Sequence, residues 1–119
     1  DAARHGEPAV VHGNGRQRRD LLYVGDIPRL VVEILGKRVP GVFNAVTGKT
    51  ASLNEIIALI ECLAGKRLDV RYNPEMPQYD IVFAPSGLLC RLPDFAFTDI
   101  KTGLAETWAC LNNQARHFA

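Results

Sequence analysis

The stretch GNGRQRRDLLYVGD, Gly13 to Asp26, sets three arginines, Arg16, Arg18 and Arg19, within four residues. A Gly-Asn-Gly turn precedes them and an apolar run ending in Tyr23 and Val24 follows. Like charges so close repel one another, so one of the three is expected to hold an anion. Pro8 to His12 is a short apolar run ahead of the Asn14-Gly15 turn signal and reads as a strand, and Arg18 to Val24 reads as a second. In that second strand Arg19, Leu21 and Tyr23 share one face, while Arg18, Asp20, Leu22 and Val24 share the other.

Working outward, Asp26 is expected to cap a helix whose first turn accommodates Pro28, where no backbone N–H is needed. Ile27, Leu30, Val31 and Ile34 recur at the helical period, and Gly36 ends the run. Val42 to Val46, between Gly41 and Gly48, is expected to form a strand. Ser52-Leu53-Asn54-Glu55 is a capping box. It opens a helix that turns Leu53, Ile56, Ile57, Ile60, Leu63 and Ala64 inward and stops at Gly65. Leu68 to Tyr72 alternates like a strand, and Asn73 to Gln78 is a loop. Asp80 to Phe83 reads as a short strand, Ser86 to Leu92 as a short helix, and Thr98 or Asp99 opens a last helix ending near Asn112. The fold class is therefore mixed α/β, an α+β-like arrangement of short strands with three to four helices. Its rhythm is weaker than that of a free-standing βαβ domain of this size.

Composition narrows the function. Apolar residues make up 47% of 119, enough for a core and against disorder. A net charge of +1 gives no broad positive field, which argues against a nucleic-acid partner and confines any anion site to a local feature. No apolar run is long enough to span a bilayer. The N-terminal stretch lacks a signal layout. Cys62, Cys90 and Cys110 are odd in number and far apart, with no Cys-x-x-Cys pair, as expected of reduced thiols in a cytoplasmic protein.

Three segments in order carry a resemblance. GEPAVVHGNGRQRRDLLYVGD resembles a signature of the extended short-chain dehydrogenase/reductase family, the NAD-dependent nucleotide-sugar epimerases and dehydratases. Gly6, Pro8, Val11, Gly13, Asn14, Gly15, Gln17, Arg19, Asp20, Tyr23, Val24 and Asp26 match its pattern. VFNAVTGKTASLNEII is similar to a second segment through Asn44, Ser52 and Glu55. FTDIKTGLAETW is similar to the family's closing helix through Gly103, Leu104 and Thr107. The resemblance runs from about Gly6 to Trp108. It implies that residues 1–119 form a single C-terminal substrate-binding domain, a fragment of a larger enzyme lacking the Rossmann dinucleotide half.

The resemblance implies that Arg19 binds the nucleotide diphosphate. A planar guanidinium can fork onto two phosphate oxygens. Arg16 and Arg18 would then be ordinary solvated charges. Asn44 is implied to reach the nucleotide with an amide that both donates and accepts; equally, it could close its own turn before Gly48. Val10, Val11 and His12 are implied to lie along the base, offering backbone groups to its edge. As a metal ligand His12 lacks any companion at ligand spacing.

The sequence also departs from the family. Met76, which cannot donate a hydrogen bond, stands where a second phosphate-binding arginine is usual, so either the ligand differs, or a nearby arginine such as Arg71 or Arg91 substitutes, or the site has weakened. Ser86 and Gly25 replace acidic residues. A Gly-rich dinucleotide loop and a Tyr-x-x-x-Lys pair are both absent. This chain is accordingly expected to bind no cofactor itself and to be non-catalytic alone, with NAD(P) implied for the full-length parent. The expected partners are a nucleoside-diphosphate sugar and the missing N-terminal Rossmann domain, and an exposed apolar patch is expected to promote self-association. The alternative is a non-catalytic remnant acting as an interaction or assembly module.

Overall fold

The computed structural model describes residues 2–76, 78–84 and 86–117. Its elements follow in the order α1 (Ala2–His5), β1 (Ala9–His12), β2 (Arg18–Asp20), α2 (Asp26–Gly36), β3 (Thr50–Ser52), α3 (Leu53–Ala64), β4 (Val70–Asn73), α4 (Ser86–Leu89) and α5 (Ile100–His117). The strands form two two-stranded sheets. β1 pairs in parallel with β4, Val11 opposite Tyr72, and β2 pairs antiparallel with β3, Arg19 opposite Ala51. The mixed α/β class with short strands agrees with the sequence reading.

Helix α3 forms where its signals lie. Ser52 Oγ accepts from the Glu55 N–H at 3.2 Å, and Glu55 Oε2 accepts from the Ser52 N–H at 2.6 Å. At its other end Gly65 takes the left-handed conformation, φ 66°, that a Cβ disfavours. Helix α2 has the expected span but a different start. Gly25 occupies the cap position, and Asp26 is the first helical residue. Its fully buried carboxylate turns away from the helix, accepting from the Thr98 N–H and Oγ1 at 2.8 Å each and from Arg29 Nη1 at 2.6 Å. Asp26 therefore fastens α2 to the segment ahead of α5, where Asp99 caps the helix by accepting from the Thr102 N–H.

Several boundaries differ from the sequence reading. Val42 to Val46 is not a strand; Val42 is fully exposed, and the strand that pairs with β2 is Thr50–Ser52. Backbone pairing was decided by contacts from β2 rather than by the local apolar run. β2 ends at Asp20, because Tyr23 leaves the sheet to pack between Gly25 and Gly103. Asp80 to Phe83 contributes one isolated bridge, Ile81 to Arg19. α4 stops at Leu89, and α1 had no sequence signal.

The core is small. Leu30, Leu88 and Leu92 are buried together, with Ile34, Val39, Phe43, Phe95 and Phe97 packed around them. Phe95 and Phe97 meet edge to face at 5.0 Å, and Arg29 lies over the Phe95 ring. The apolar stripe of α2 is only partly used. Leu30 is inside, but Ile27, Val31, Val32 and Leu35 are exposed. The inward residues of α3 are half-buried at most. The radius of gyration, 16.8 Å, exceeds the roughly 13.5 Å typical of a compact domain this long. The extents of 46 × 40 × 19 Å describe a slab.

Candidate functional site

The site is built around β2. Successive strand side chains point to opposite faces, so Arg18 and Asp20 act together and Arg19 acts apart. Asp20 Oδ1 accepts from the Thr47 N–H at 3.0 Å and from Thr47 Oγ1 at 2.8 Å, and its Oδ2 accepts from the Gly48 N–H at 2.8 Å. Arg18 donates through Nε to Thr50 Oγ1 at 2.9 Å and through Nη2 to the Thr50 carbonyl at 2.6 Å. Its Nη1 lies 3.5 Å from Glu55 Oε2. Arg18 is thus not the solvated charge expected from sequence. It ties β2 to β3 and to the cap of α3, contacts that join residues 32 or more positions apart and leave no local signal. Arg16 is exposed as expected.

Arg19 is held differently. Its Nη1 donates to the Arg18 carbonyl at 2.8 Å and to the Tyr79 carbonyl at 2.5 Å. The neighbouring backbone is fixed as well, since the Arg18 N–H donates to Asp80 Oδ1 and the Ile81 N–H donates to the Arg18 carbonyl. Among the described residues no carboxylate pairs with Arg19, and its Nε and Nη2 make no hydrogen bond. These two nitrogens form one of the parallel donor forks of a guanidinium. Arg19 is therefore pinned at one corner and offers a two-pronged donor at the other.

β1 supplies a second surface. Ala9 and Gly13 donate their N–H groups to Asp69 and Asn73. Alternation along a strand then directs Val11 toward β4 as well and turns the backbone groups of Val10 and His12 to the opposite edge. Among the described residues that edge carries no strand. The Val11 side chain is buried, whereas Val10 and His12 are exposed. Behind the edge Gln17 is buried, donating from Nε2 to the His12 carbonyl at 2.5 Å, while its backbone carbonyl accepts from the Leu53 N–H. Sequence reading passed over Gln17 because its place as a structural brace depends on the fold of the turn beneath it.

Asn44 is exposed on the segment between α2 and β3. Its side chain closes no turn; the nearby turn at Thr47 and Gly48 is closed by Asp20 instead. Among the described residues no hydrogen bond or shared cavity joins Asn44 to Arg19. Met76 is 42% exposed and brings no donor, and Pro77, matched to the same family segment, lies outside the described residues. Arg71, a candidate substitute, is engaged with Asp69 at 2.9 Å. An apolar cleft of about 330 Å³ opens beside β3 between Leu21, Leu89, Phe95, Phe97 and Ile100.

The described residues hold no group of His, Cys, Asp and Glu suited to a metal, and the three thiols are free. A dinucleotide pyrophosphate needs a glycine turn that leads from a strand into a helix N-terminus. The turn at Gly13 to Gly15 leads into β2, so it does not fit that group. Tyr23 does not fit a tyrosine base either. The neighbouring Glu106 carboxylate, followed by burial, raises its pKa above the ordinary value, opposite to what a base requires. No helix is long and apolar enough to cross a membrane among the described residues.

Short strands and helices around a pinned arginine define the class of fold, a mixed α/β portion of a larger architecture. MoeE5 in complex with UDP-glucose and NAD superposes with a TM-score of 0.81 at 26% identity, covering 96% of this chain and 40% of that one. UDP-N-acetylglucosamine 4-epimerase from Methanobrevibacter ruminantium M1, in complex with UDP-N-acetylmuramic acid, gives 0.79 at 25% identity, covering 95% and 37%. In sequence the chain is 28% identical over 107 residues to dTDP-4-dehydro-6-deoxy-D-allose reductase of Streptomyces bikiniensis, 86% of this chain and 32% of the relative. No family model matches the chain. The relatives and structural neighbours are nucleotide-sugar epimerases and reductases of the extended short-chain dehydrogenase/reductase family, and this chain corresponds to a portion of such a protein. It spans two fifths of their length or less.

Proposed function

We propose that this chain is the nucleoside-diphosphate-binding portion of a nucleotide-sugar epimerase, dehydratase or reductase. Residues 1–119 form its substrate-binding domain, and a dinucleotide-binding domain carries NAD and the hydride chemistry. Arg19 grips the diphosphate, the outer edge of β1 receives the base at Val10 and His12, Val11 anchors that strand in the interior, and Asn44 reaches the nucleotide from the segment between α2 and β3. The observation that carries this reading is the state of the Arg19 guanidinium: fixed through Nη1 to two backbone carbonyls, with Nε and Nη2 left to a ligand. A donor fork already held in place gives up little rotamer freedom when it binds. The uncovered apolar residues of α2 support a domain seated against them.

Uniform gripping of the diphosphate would position a sugar for chemistry performed elsewhere. Titrating the purified chain with UDP by calorimetry tests the reading. Binding is expected, weakened about 30-fold by Arg19→Ala, a loss of roughly 2 kcal/mol for a charge-assisted pair. Arg19→Lys should restore only part of it. The absence of binding by any nucleoside diphosphate overturns the reading. Met76, which places no donor where a second phosphate contact is usual, favours the second reading, an assembly module that binds no nucleotide.

A further inference from the structure

We infer that Asn14 is a site of spontaneous covalent modification: its carboxamide closes onto the Gly15 nitrogen and reopens as isoaspartate, which loosens the joint between the two sheets. Asn14 and Gly15 sit at the centre of the turn from β1 to β2, Asn14 exposed and Gly15 left-handed at φ 75°. Asn14 Oδ1 accepts from the Arg16 N–H at 3.0 Å, so the carboxamide folds back over the Asn14–Gly15 peptide. That bond draws charge from the carbonyl at Cγ, the atom to be attacked, as an N–H does for a developing oxyanion. From the other side Asn54 Nδ2, in the first turn of α3, donates to the Asn14 carbonyl at 3.1 Å. A donor there polarises the peptide group and acidifies the Gly15 N–H that belongs to it. The Gly15 N–H has no partner among the described residues, and its residue has no Cβ to obstruct the ring closure. Electrophile and nucleophile are thus held together and both activated.

The step balances with water alone. The Gly15 nitrogen gives its proton to a solvent base and bonds to Asn14 Cγ, and the Cγ–Nδ2 bond breaks, releasing ammonia. Water then opens the cyclic imide. Cleavage at Cγ leaves aspartate; cleavage at the former backbone carbonyl leaves isoaspartate, whose main chain is one atom longer. The other asparagines lack this arrangement. Asn73 precedes Pro74, which has no N–H to attack with. Asn54 has both side-chain ends engaged, and the Glu55 N–H that follows it donates to Ser52 Oγ. Asn112 and Asn113 lie within α5, where the backbone N–H groups serve the helix. Asn44 is followed by Ala45, whose methyl group crowds the attack. The altered turn matters because both sheets hang on it. The Gly13 N–H donates to the Asn73 carbonyl at 2.7 Å, and the Gly15 carbonyl accepts from the Asn54 N–H at 3.0 Å. An extra backbone atom between those two bonds, with a carboxylate in place of a neutral amide, displaces them a few residues ahead of Arg19.

Incubating the folded, unaltered chain at neutral pH and mapping its peptides by mass spectrometry tests this. The peptide holding Asn14 is expected to gain about 1 Da ahead of every other asparagine peptide, with isoaspartate the larger product. Its rate should rise roughly tenfold per pH unit near neutrality, because the attacking amide must first lose its proton. Conversion at Asn14 no faster than at Asn44, or conversion to aspartate alone, overturns the inference. The converted chain should also unfold at a lower urea concentration than the fresh one, and equal midpoints overturn the loosening of the joint. Asn14→Gln, whose longer side chain closes the ring far more slowly, should keep its mass and its midpoint over the same incubation. On the proposed nucleotide reading, conversion should also weaken UDP binding. A fresh chain that binds no UDP overturns that reading, while the mass map and the urea midpoints still decide this one.

Discussion

The two sheets are finished in opposite ways. β2 has β3 on one edge and the Asp80–Ile81 segment on the other, and Arg18 and Asp20 stitch it to Thr50, Thr47 and Gly48. β1 has β4 on one edge and, among the described residues, only the Gln17 amide on the other. An open strand edge is a hazard because it invites pairing with another chain. Here it is short and stands a few residues from a guanidinium held half free. The closed sheet is scaffold, and the open one is the edge that the proposal gives to the nucleotide base.

The largest stability loss expected from breaking this contrast is at Asp20. Asp20→Ala removes three hydrogen bonds to a carboxylate and should cost about 3 kcal/mol by urea denaturation. A loss under 1 kcal/mol would show that the β2–β3 sheet does not depend on it. Gly15, between the sheets, has φ 75° and lies against the Asn54 side chain. Gly15→Ala is expected to cost about 2 kcal/mol through backbone strain and that clash. On the open edge the same kind of insult should be mild. Val10→Pro removes an N–H that no described residue uses, so thermal unfolding should register less than about 1 kcal/mol, while nucleotide binding should weaken about tenfold.

The smallest effect concerns pH. The Ser52 backbone N–H, then its hydroxyl, then Arg18 hold the Glu55 carboxyl below its usual value. A carboxyl whose folded pKa is depressed adds stability that is fully present above its unfolded pKa and lost as pH falls through the folded one. Glu55→Gln should therefore be less stable than the parent at neutral pH, and the two should draw together as pH falls from about 4.3, the ordinary glutamate value, through the lower folded one. Parallel stability curves across that range would remove Glu55 from the account.

Legibility followed the range of the forces. Helix α3 was readable to the residue because its signals, Ser52, Glu55 and Gly65, act within one turn of the backbone. Strand alternation put Arg19 and Arg18 on opposite faces, the family resemblance chose Arg19 between them, and its half-free fork is consistent with the expected role. A strand was expected at Val42 to Val46 rather than at Thr50 to Ser52 because that apolar run looked more strand-like. What decides the pairing is the grip of Arg18 and Asp20, and no window of sequence contains both ends of those bonds. Asp26 was misread for the same reason. It has the chemistry of a cap, but the carboxylate is claimed by Thr98.

That claim reaches across 72 residues. During synthesis the Asp26 carboxylate must stay hydrated until Thr98 has left the ribosome, because a charge without its partners does not desolvate. The small leucine core around Leu30 therefore cannot seal as its helix emerges. It has to wait for Leu88, Leu92 and the Thr98 hydroxyl, so the earlier half of the slab is assembled under an open roof.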